Sequence, residues 1–474
     1  MTIQMTTDHA TQGGSAGVLA QVRTVFNTGR TRSVAWREEQ LRAIERMCEE
    51  REAEISEALI SDLGRSAFEA WLGDIASTKA EAVFARKHFR KWMKPRRQNL
   101  PLAQMPGRAW VQYDPIGVVL VIGPWNYPFF LCMSPVVAAV AAGNGAVIKP
   151  SELAPATSEL IARLVPQYLD PEAIRVVEGA ADVTQDLLSQ GFDHALFTGG
   201  TEIGRKIMAA AAPTLTPVTL ELGGKSPVIV GRDYPLAKAA ERIMVGKLLN
   251  AGQTCIAPDY VLVPAGREQE FVDAARAVVA RCFPAMATTP DYTSIINERH
   301  YQRLQGYLSD ARERGAKIEP LSTAAADDAG RRLPPLALLN VNDDMRVMQD
   351  EIFGPLLPVL PYADLDAAIS YVNRHPRPLA LYYFGHDGAA RDRVLNETVA
   401  GGVTVNDTIL HIAQEELPFG GVGPSGMGQY HGIEGFRTFS KQKAVFYQSG
   451  LNGMSLFNPP YGALFERLTK FLIR

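Results

Sequence analysis

A cysteine and a glutamate occupy the two segments of this chain that are best suited to covalent chemistry. Cys255 follows Asn-Ala-Gly-Gln-Thr, which interrupts the apolar face of a predicted helix, and Glu221 opens Glu-Leu-Gly-Gly-Lys-Ser-Pro 34 residues upstream. The nucleophile must be a thiolate, and a free cysteine with a pKa of about 8.5 is only a few per cent ionised at neutral pH. A nearby carboxylate could take up the proton, so the pair indicates a nucleophile and its base.

The alternative for any lone cysteine is a small buried apolar residue, which is the commoner role in an intracellular protein. Cys48 lies on a charged predicted helix, Cys132 in an apolar run and Cys282 near a helix end, so all three fit that role. Cys255 differs because a polar, glycine-containing break precedes it. Residue types and spacing single it out and leave its role open between nucleophile and core residue.

Five further motifs lie on either side of this pair. They are Gly-Pro-Trp-Asn-Tyr-Pro at 123–128, Lys-Pro-Ser-Glu at 149–152, Phe-Thr-Gly-Gly-Thr-Glu-Ile-Gly at 197–204, Glu-Ile-Phe-Gly-Pro at 351–355 and Pro-Phe-Gly-Gly-Val-Gly-Pro-Ser-Gly-Met-Gly at 418–428. In order and spacing these motifs resemble the aldehyde dehydrogenase superfamily over residues 20–445. The short amino terminus, the Asn-Tyr-Pro form and Pro-Pro-Tyr at 459–461 resemble the class 3 branch, and the whole is similar to bacterial coniferyl aldehyde dehydrogenases.

The resemblance implies oxidation of an aldehyde to an acid at Cys255. The thiolate adds to the aldehyde, the Asn126 side chain and the Cys255 backbone N–H hold the oxyanion, hydride passes to NAD, and Glu221 activates the water that hydrolyses the thioester. Each oxyanion donor is worth roughly 3 kcal/mol. From its position alone, Asn126 could instead cap a turn. Glu221 argues against coenzyme A-acylating relatives, and no metal is expected, because the histidines show no zinc-ligand spacing.

The resemblance also assigns residues to a bound dinucleotide. They are Lys149, Glu152, Thr198, Gly199, Thr201, Gly204, Gly223, Glu351 and Phe353. The run at 199–204 lacks the full Gly-x-Gly-x-x-Gly pattern, so by spacing alone it is equally consistent with an ordinary strand-to-helix turn. It does follow a predicted strand and open a predicted helix, where backbone N–H groups can face a pyrophosphate. The resemblance therefore implies a phosphate-binding role for this run.

Roles at the two ends of the dinucleotide follow from the same resemblance. Lys149 and Glu152 would bind the adenosine ribose, where a carboxylate disfavours a 2′-phosphate. Glu351 and Phe353 would hold the nicotinamide ribose and ring, and Gly223 would let the ring approach the backbone. We expect NAD, with NADP as the alternative because class 3 relatives with the same Lys-Pro-Ser-Glu run often accept both.

Aromatic residues near these motifs favour an apolar substrate. Tyr127, Phe419 and His411 are the candidates for lining the substrate entrance, which would suit a coniferyl-type aromatic aldehyde or a medium- or long-chain aldehyde. Most aromatics in a chain of this size belong to the core, so a packing role is the alternative for each of them.

The hydrophobic pattern predicts an α/β fold. Helical periodicity at 36–65 and 68–93 precedes a regular alternation of short apolar runs and helices, which is typical of parallel sheets with ligands at the carboxyl ends of the strands. We expect two parallel-sheet domains, a Rossmann-like cofactor domain and a catalytic domain, plus a small β arm for oligomerisation. The expected division is a disordered tail at 1–17, an NAD-binding domain at 18–95 and 118–222, a catalytic domain at 223–410, and an arm and carboxyl-terminal segment at 96–117 and 411–474.

Composition sets the remaining expectations. A net charge of −3 gives no reason to expect a nucleic-acid partner, and four cysteines without regular spacing or a secretory leader favour the cytoplasm. No apolar run reaches the length of about twenty residues that a transmembrane helix needs. Apolar residues recur at helical spacing from Leu464 to Leu472, which could dock on the body, on a second subunit or on a membrane. The class 3 resemblance implies a homodimer.

Two other kinds of protein would share some of these features. A thiol hydrolase or acyltransferase would use Cys255 without a cofactor, and a catalytically silent binding protein would keep the fold without needing its reactive groups. Cys255, Glu221 and Asn126 are all present. Reduction of a nicotinamide cofactor would separate the dehydrogenase from both alternatives.

Overall fold

The computed structural model describes residues 15–101, 104–286, 288–452 and 458–472. Its helices are α1 (Ser15–Asn27), α2 (Val34–Glu50), α3 (Glu52–Leu63), α4 (Ala67–Ala70), α5 (Ser77–Trp92), α6 (Phe130–Ala142), α7 (Pro155–Tyr168), α8 (Ala181–Ser189), α9 (Thr201–Ala211), α10 (Leu236–Leu248), α11 (Glu268–Cys282), α12 (Glu298–Glu313), α13 (Arg346–Gln349), α14 (Leu365–Arg374), α15 (Gly388–Glu397), α16 (Gly432–Thr438) and α17 (Ala463–Leu472). Its strands are β1 (Arg96–Gln98), β2 (Arg108–Pro115), β3 (Val118–Ile122), β4 (Gly145–Lys149), β5 (Ile174–Val176), β6 (His194–Thr198), β7 (Val218–Glu221), β8 (Pro227–Val230), β9 (Tyr260–Pro264), β10 (Lys317–Pro320), β11 (Leu336–Leu339), β12 (Leu356–Tyr362), β13 (Ala380–Phe384), β14 (Gly402–Val405), β15 (Gly426–Met427) and β16 (Ser440–Tyr447).

One parallel sheet forms the expected cofactor half. Its strand order is β5-β4-β3-β6-β7-β15, and only the short edge strand β15 runs antiparallel. Strands β3, β4 and β6 are buried along their whole length, which explains their continuous apolar runs. The order reverses at β3, which pairs with both β4 and β6, so ligands are expected in the crevice beyond the ends of β3 and β6.

A second sheet forms the other half of the molecule. Its order is β10-β11-β12-β9-β8-β13-β14, parallel except for the antiparallel edge strand β10. Helices α10 and α11 pack together, and the turn that carries Cys255 connects α10 to β9. The expected α/β fold with two parallel-sheet domains is therefore confirmed.

A small antiparallel sheet accompanies the two large ones. Strand β2 pairs with β1 on one side and with β16 over eight residues on the other. All of β1 and most of β16 are exposed, and we call this three-stranded sheet the arm. The carboxyl-terminal segment is not confined to the arm, because Gly426–Met427 pairs with β7 of the cofactor half.

Three local expectations need correction or adjustment. Residues 15–17 begin α1 and are not part of a disordered tail, whereas 1–14 lie outside the described residues. The helix predicted at 36–65 is divided at Arg51, whose backbone leaves the helical conformation. In α17, Leu464 is 70% exposed and Phe471 is 78% exposed, so these two do not dock on the body of the chain.

Candidate active site

A left-handed turn carries Cys255 into the space between the two halves. Asn250, Ala251 and Gly252 have φ values of 53°, 52° and 79°. A side chain at Gly252 would collide with the carbonyl oxygen of Gly354. Backbone in this region is costly for residues other than glycine and persists where surrounding contacts enforce it. The turn ends α10 abruptly and leaves Cys255 partly exposed.

A cavity of about 200 Å³ lies where the ends of β3 and β6 approach this turn. It is lined by Pro124, Trp125, Asn126, Thr198, Gly199, Gly200, Glu221, Leu222, Gly223, Cys255, His300, Arg303, Glu351 and Phe353. The three predicted catalytic residues therefore face one space, together with five of the nine residues predicted to bind the cofactor. The cavity occupies the place that strand order predicts for a ligand.

Glu221 contributes a carboxyl group without a hydrogen-bond partner. It ends β7 opposite Thr198 of β6, is 2% exposed, and neither of its oxygens is hydrogen-bonded. Burial raises the pKa of Glu221 well above its ordinary value. A buried acceptor with no partner is costly in free energy, and such groups are typical of functional sites. In its carboxylate form, Glu221 would therefore be a strong proton acceptor for a group in the cavity.

The Cys255 thiol is also held in its neutral form. Burial raises the pKa of Cys255, and the carboxyl groups of Glu351 and Glu221 raise it further. The backbone N–H groups of Cys255 and Ile256 act in the opposite direction by favouring the thiolate. Attack by Cys255 therefore requires a proton acceptor at the moment of reaction.

Asn126 lies against the turn that carries Cys255, and both its side chain and its backbone carbonyl bond to that turn. Its Nδ2 donates to the carbonyl oxygen of Gln253 at 3.1 Å, and its backbone carbonyl accepts from Asn250 Nδ2 at 3.1 Å. An amide NH₂ has two donors. With one of them used by Gln253, the second is available to an oxygen atom in the cavity, which Asn126 lines.

The segment at the start of α9 forms another part of the cavity wall. Gly199 N–H donates to the Glu221 carbonyl at 3.0 Å, the Thr198 hydroxyl has no partner, and the space beside Gly200 is open. The first N–H groups of a helix lack internal acceptors and favour anions. These groups fit a dinucleotide phosphate.

Four of the residues predicted to bind the cofactor lie outside the cavity wall. Lys149, at the end of β4, pairs with the partly exposed Glu152 at 2.6 Å. Thr201 donates to the Pro424 carbonyl at 3.2 Å. Gly204 packs against Leu222, and a side chain there would collide with it, so close helix packing accounts for this glycine.

Glu351 and Phe353 reach the cavity on a strained loop. The Glu351 carboxylate lies against Gly223, where any side chain would collide with it, and it accepts from the Gly224 N–H. Burial, reinforced by Asp259, raises the pKa of Glu351 to about 8. Phe353 has a φ of 48°. Residues other than glycine that adopt this conformation are found mostly at functional sites.

Two lining residues, His300 and Arg303, were not predicted. They lie one turn apart on α12, and Arg303 donates to the carbonyls of Glu351 and Phe353 at 3.3 Å each. The His300 ring is 5.1 Å from that of Trp125, and burial lowers its pKa to about 4. Their only signal in the sequence is a shared helix face, which is common to many surface helices.

The predicted substrate-entrance residues do not line this cavity. The Tyr127 hydroxyl lies 2.9 Å from Thr254 Oγ1, beside Cys255. His411 is 6.1 Å from Phe419 between ring centres and bonds to the Thr404 hydroxyl at 2.8 Å. His411 also contacts Tyr382, whose hydroxyl donates to the carbonyl of Ile256 at 2.5 Å. These side chains surround the Cys255 turn away from the cavity.

The aldehyde dehydrogenase family matches residues 4–445, more than nine-tenths of the chain. The chain belongs to the aldehyde dehydrogenase family. A probable coniferyl aldehyde dehydrogenase of Pseudomonas aeruginosa is 52% identical over 446 residues, covering 94% of this chain and 92% of the relative. Aldehyde dehydrogenase family 3 member A2 of Mus musculus is 44% identical and covers 92% of this chain and 89% of its own length. These relatives confirm the resemblance to the class 3 branch and to coniferyl aldehyde dehydrogenases.

Solved aldehyde dehydrogenase structures share the fold. A substrate-bound Staphylococcus aureus AldH has a TM-score of 0.92 at 39% identity, covering 96% of this chain and 98% of that chain. An indole-3-acetaldehyde dehydrogenase solved in complex with NAD⁺ has a TM-score of 0.83 at 25% identity, covering 92% of this chain and 89% of that chain.

Two features are absent from the described residues of this aldehyde dehydrogenase. In those ranges, no three His, Cys, Asp or Glu side chains come together as a metal site. Among the helices described there, none has the length and apolar character to cross a bilayer.

Proposed function

We propose that this aldehyde dehydrogenase oxidises an aldehyde to a carboxylic acid with NAD or NADP through a thioester at Cys255. The observation that carries the proposal is the convergence of Cys255, Glu221 and Asn126 on one cavity that extends to the start of α9. A nucleophile, a proton acceptor and an oxyanion donor are what acyl transfer requires.

The cofactor assignment is supported by the groups that line the cavity. The unpartnered Thr198 hydroxyl, the open space at Gly200 and the free N–H groups of α9 fit a phosphate, while Glu351 and Phe353 suit the ribose and ring. Lys149 and Glu152 end the neighbouring strand and suit the adenosine ribose. NAD supplies the hydride acceptor when bound. The NAD⁺ complex of the indole-3-acetaldehyde dehydrogenase supports the same assignment.

The chain's own residues account for the chemistry around the thiol. Glu221 in its carboxylate form accepts the thiol proton of Cys255, directly or through water, because both groups line the cavity and its raised pKa makes that carboxylate a strong proton acceptor. The second Nδ2–H of Asn126 and the Cys255 backbone N–H donate to the oxygen of the thiohemiacetal. After releasing that proton to solvent, Glu221 removes a proton from the water that attacks the thioester carbonyl. The thiolate of Cys255 leaves and takes up this proton, which returns Cys255 to the thiol.

We infer an apolar or aromatic aldehyde as the substrate, with the coniferyl type as first choice. The name of the Pseudomonas aeruginosa relative supports it. Around the Cys255 turn, Tyr127 packs against Gly73, and the neighbouring side chains of Phe68, Trp71 and Leu72 are 65%, 41% and 45% exposed. A group of exposed apolar side chains beside a site is typical of a ligand-binding surface.

We further propose the domain division given by the sequence, a homodimer and a cytoplasmic location. The exposed strands β1 and β16 would form the dimer contact, since open sheet edges with exposed Phe446 and Tyr447 favour pairing with a second chain. All four cysteines are unpaired, which fits a reducing compartment.

The proposal is tested by the near-ultraviolet absorbance of the reduced nicotinamide, with NAD or NADP and hexanal, benzaldehyde, coniferaldehyde or dodecanal. Cys255→Ser should abolish reduction, whereas the matched control Cys282→Ser, at an exposed cysteine outside the site, should retain it. Equal activity in wild type and Cys255→Ser would contradict the proposal. A wild type that cleaves thioesters and reduces no cofactor would favour a thiol hydrolase.

A further inference from the structure

A buried arginine of the amino-terminal helical layer lies directly behind the active-site residues. Arg65 stands between α3 and α4 and is 2% exposed. Gly64 ends α3 with a left-handed φ of 60°, and Ser66 begins α4 by accepting from Glu69 N at 3.1 Å. The chain therefore leaves one helix and enters the next within three residues, which directs the Arg65 side chain into the interior.

The guanidinium of Arg65 uses each of its three nitrogens for a different partner. Nη1 pairs with Asp74 at 2.5 Å, Nη2 donates to the backbone carbonyl of Asn126, and Nε donates to Asn250 Oδ1 at 3.2 Å. Asn126 carries the oxyanion amide, and Asn250 is the first left-handed residue of the Cys255 turn. Arg65 therefore connects the loop after β3 in one half with the turn before β9 in the other.

Asp74 holds Arg65 in place from a widened helical turn. It belongs to the π-helical segment Trp71–Ala76, is fully buried, and accepts from the N–H groups of Phe129 and Phe130 at 3.1 and 2.9 Å. Those N–H groups open α6, immediately after the Asn126 loop. Tyr127 covers the arginine, with its ring 4.5 Å from the guanidinium carbon. π-Helical turns are frequent at functional sites.

The two loops that Arg65 joins also bond to each other. Asn250 Nδ2 donates to the carbonyls of Asn126 and Gln253, and Asn126 Nδ2 donates to the same Gln253 carbonyl. The distance between the Asn126 amide and the Cys255 backbone N–H depends on this set of bonds. Oxyanion stabilisation requires both donors within hydrogen-bond distance of one oxygen, so their separation matters directly.

Resting on the proposed function, we propose that Arg65 is a positioning residue that sets the geometry of the oxyanion site through Asn126. A lysine at this position has one nitrogen and cannot donate in three fixed directions, as the planar guanidinium does. Arg65 does not line the cavity, so cofactor binding should not depend on it.

The test is a double-mutant cycle between Arg65→Lys and Asn126→Ala. The measured quantity is the rate of 4-nitrophenyl acetate hydrolysis, divided by the amount of Cys255 that an alkylating reagent can label. Ester hydrolysis needs the thiol and the oxyanion site and needs no cofactor. We expect Arg65→Lys to lower the rate by about ten- to hundred-fold in wild type and by less than about two-fold in the Asn126→Ala background, because the residue acts through Asn126. Affinity for reduced NAD, from its fluorescence, should remain within about two-fold of wild type.

Arg37→Lys is the matched control. Arg37 is a buried arginine of the same layer that donates to the Ala141 carbonyl at 3.0 Å and contacts no cavity residue in the described bonds. It should leave the rate per Cys255 within about two-fold. If Arg65→Lys does not fold, Asp74→Asn replaces it. We then expect a smaller loss of rate in wild type, and again almost no loss in the Asn126→Ala background.

Each outcome has one meaning. Equal losses from Arg65→Lys in both backgrounds, no loss in either, or the same loss in Arg37→Lys would each overturn the Arg65 proposal. A wild type that neither hydrolyses the ester nor oxidises any aldehyde would instead overturn the proposed function. The two failures are therefore distinguishable.

Discussion

At the residue scale, the two proposed reactive groups are ionisable side chains whose pKa values are raised by burial. Glu221 and Cys255 would be ordinary side chains on a surface, one charged and one neutral at pH 7. In the cavity the pKa values of both are raised, so burial favours the neutral form of each group. Burying Glu221 without a hydrogen bond lowers the free energy of unfolding.

Replacing Glu221 should reveal that cost as a pH dependence of stability. Because the folded pKa of Glu221 is raised, its contribution to stability is fully present below the unfolded pKa and is lost as pH rises through the folded value. Glu221→Gln lacks this loss. We expect the increase in Tm over wild type to be larger at about pH 8 than at about pH 4. The exposed Glu313→Gln is the control, and an equal difference at both pH values would contradict the prediction.

The thiol should show the same environment by its alkylation rate. With the pKa of Cys255 raised by burial and by two carboxyl groups, the rate with iodoacetamide should keep rising above pH of about 8.5, where an ordinary cysteine is already half ionised. Peptide mapping by mass spectrometry follows Cys255 and the exposed Cys282 in one sample. A Cys255 rate that levels off at a pH of about 8.5 or below would be inconsistent with this environment.

At the element scale, the decisive feature is the turn between α10 and β9. It converts the end of a helix into a left-handed path that presents Cys255 to the cavity. Gly252 combines a positive φ with close approach to Gly354, on the loop that follows Glu351. Backbone contact between these two segments therefore fixes the Cys255 turn relative to the loop that carries Glu351 and Phe353.

Gly252→Ala and Gly266→Ala separate backbone strain from that contact. Both glycines have positive φ values, 79° and 86°, but the space beside Gly266 is empty. We expect Gly266→Ala to cost about 1 kcal/mol in the free energy of unfolding without changing kcat, and Gly252→Ala to cost about 2–4 kcal/mol and to lower kcat at least about ten-fold. Urea unfolding and steady-state rates measure both. Identical behaviour of the two variants would rule out a positioning role for the Gly252 contact.

At the scale of the whole molecule, the two parallel sheets form the cavity between them, and the arm extends away from both. Arm strand β1 is exposed throughout, and Phe446 and Tyr447 of β16 are 48% and 60% exposed. An open edge with apolar side chains is an aggregation hazard unless a second chain covers it.

Light scattering should therefore give about twice the chain mass of 51.7 kDa. Charged substitutions at Phe446 and Tyr447 should reduce it to the monomer mass, because burying a charge in an apolar contact is costly. Matching substitutions at the exposed Leu464 and Phe471 of α17 serve as the control. A monomeric wild type, or dissociation caused only by the α17 variants, would contradict the arm as the dimer contact.

Local sequence was sufficient for the elements and for the family, and it proposed the reactive groups that the structure brings to one cavity. The buried strands and amphipathic helices follow from hydrophobic period, and the motifs around Cys255, Glu221 and Asn126 indicated the chemistry because residue type decides what a side chain can do. The sequence was less informative about residues whose role depends on tertiary packing. Gly204 packs against Leu222 outside the cavity wall, and residues 15–17 form helix, since neither a glycine's neighbours nor a docking surface is written in local spacing.

Tertiary structure alone decided which residues share the cavity and how they ionise. His300 and Arg303 of α12 line the cavity. Arg65 lies behind Asn126 although 61 residues separate them in the chain. The raised pKa values of Glu221 and Cys255 exist only because distant segments exclude water around them. Residue chemistry is a property of the sequence, whereas distance, burial and electric field arise from contacts between segments that are remote along the chain.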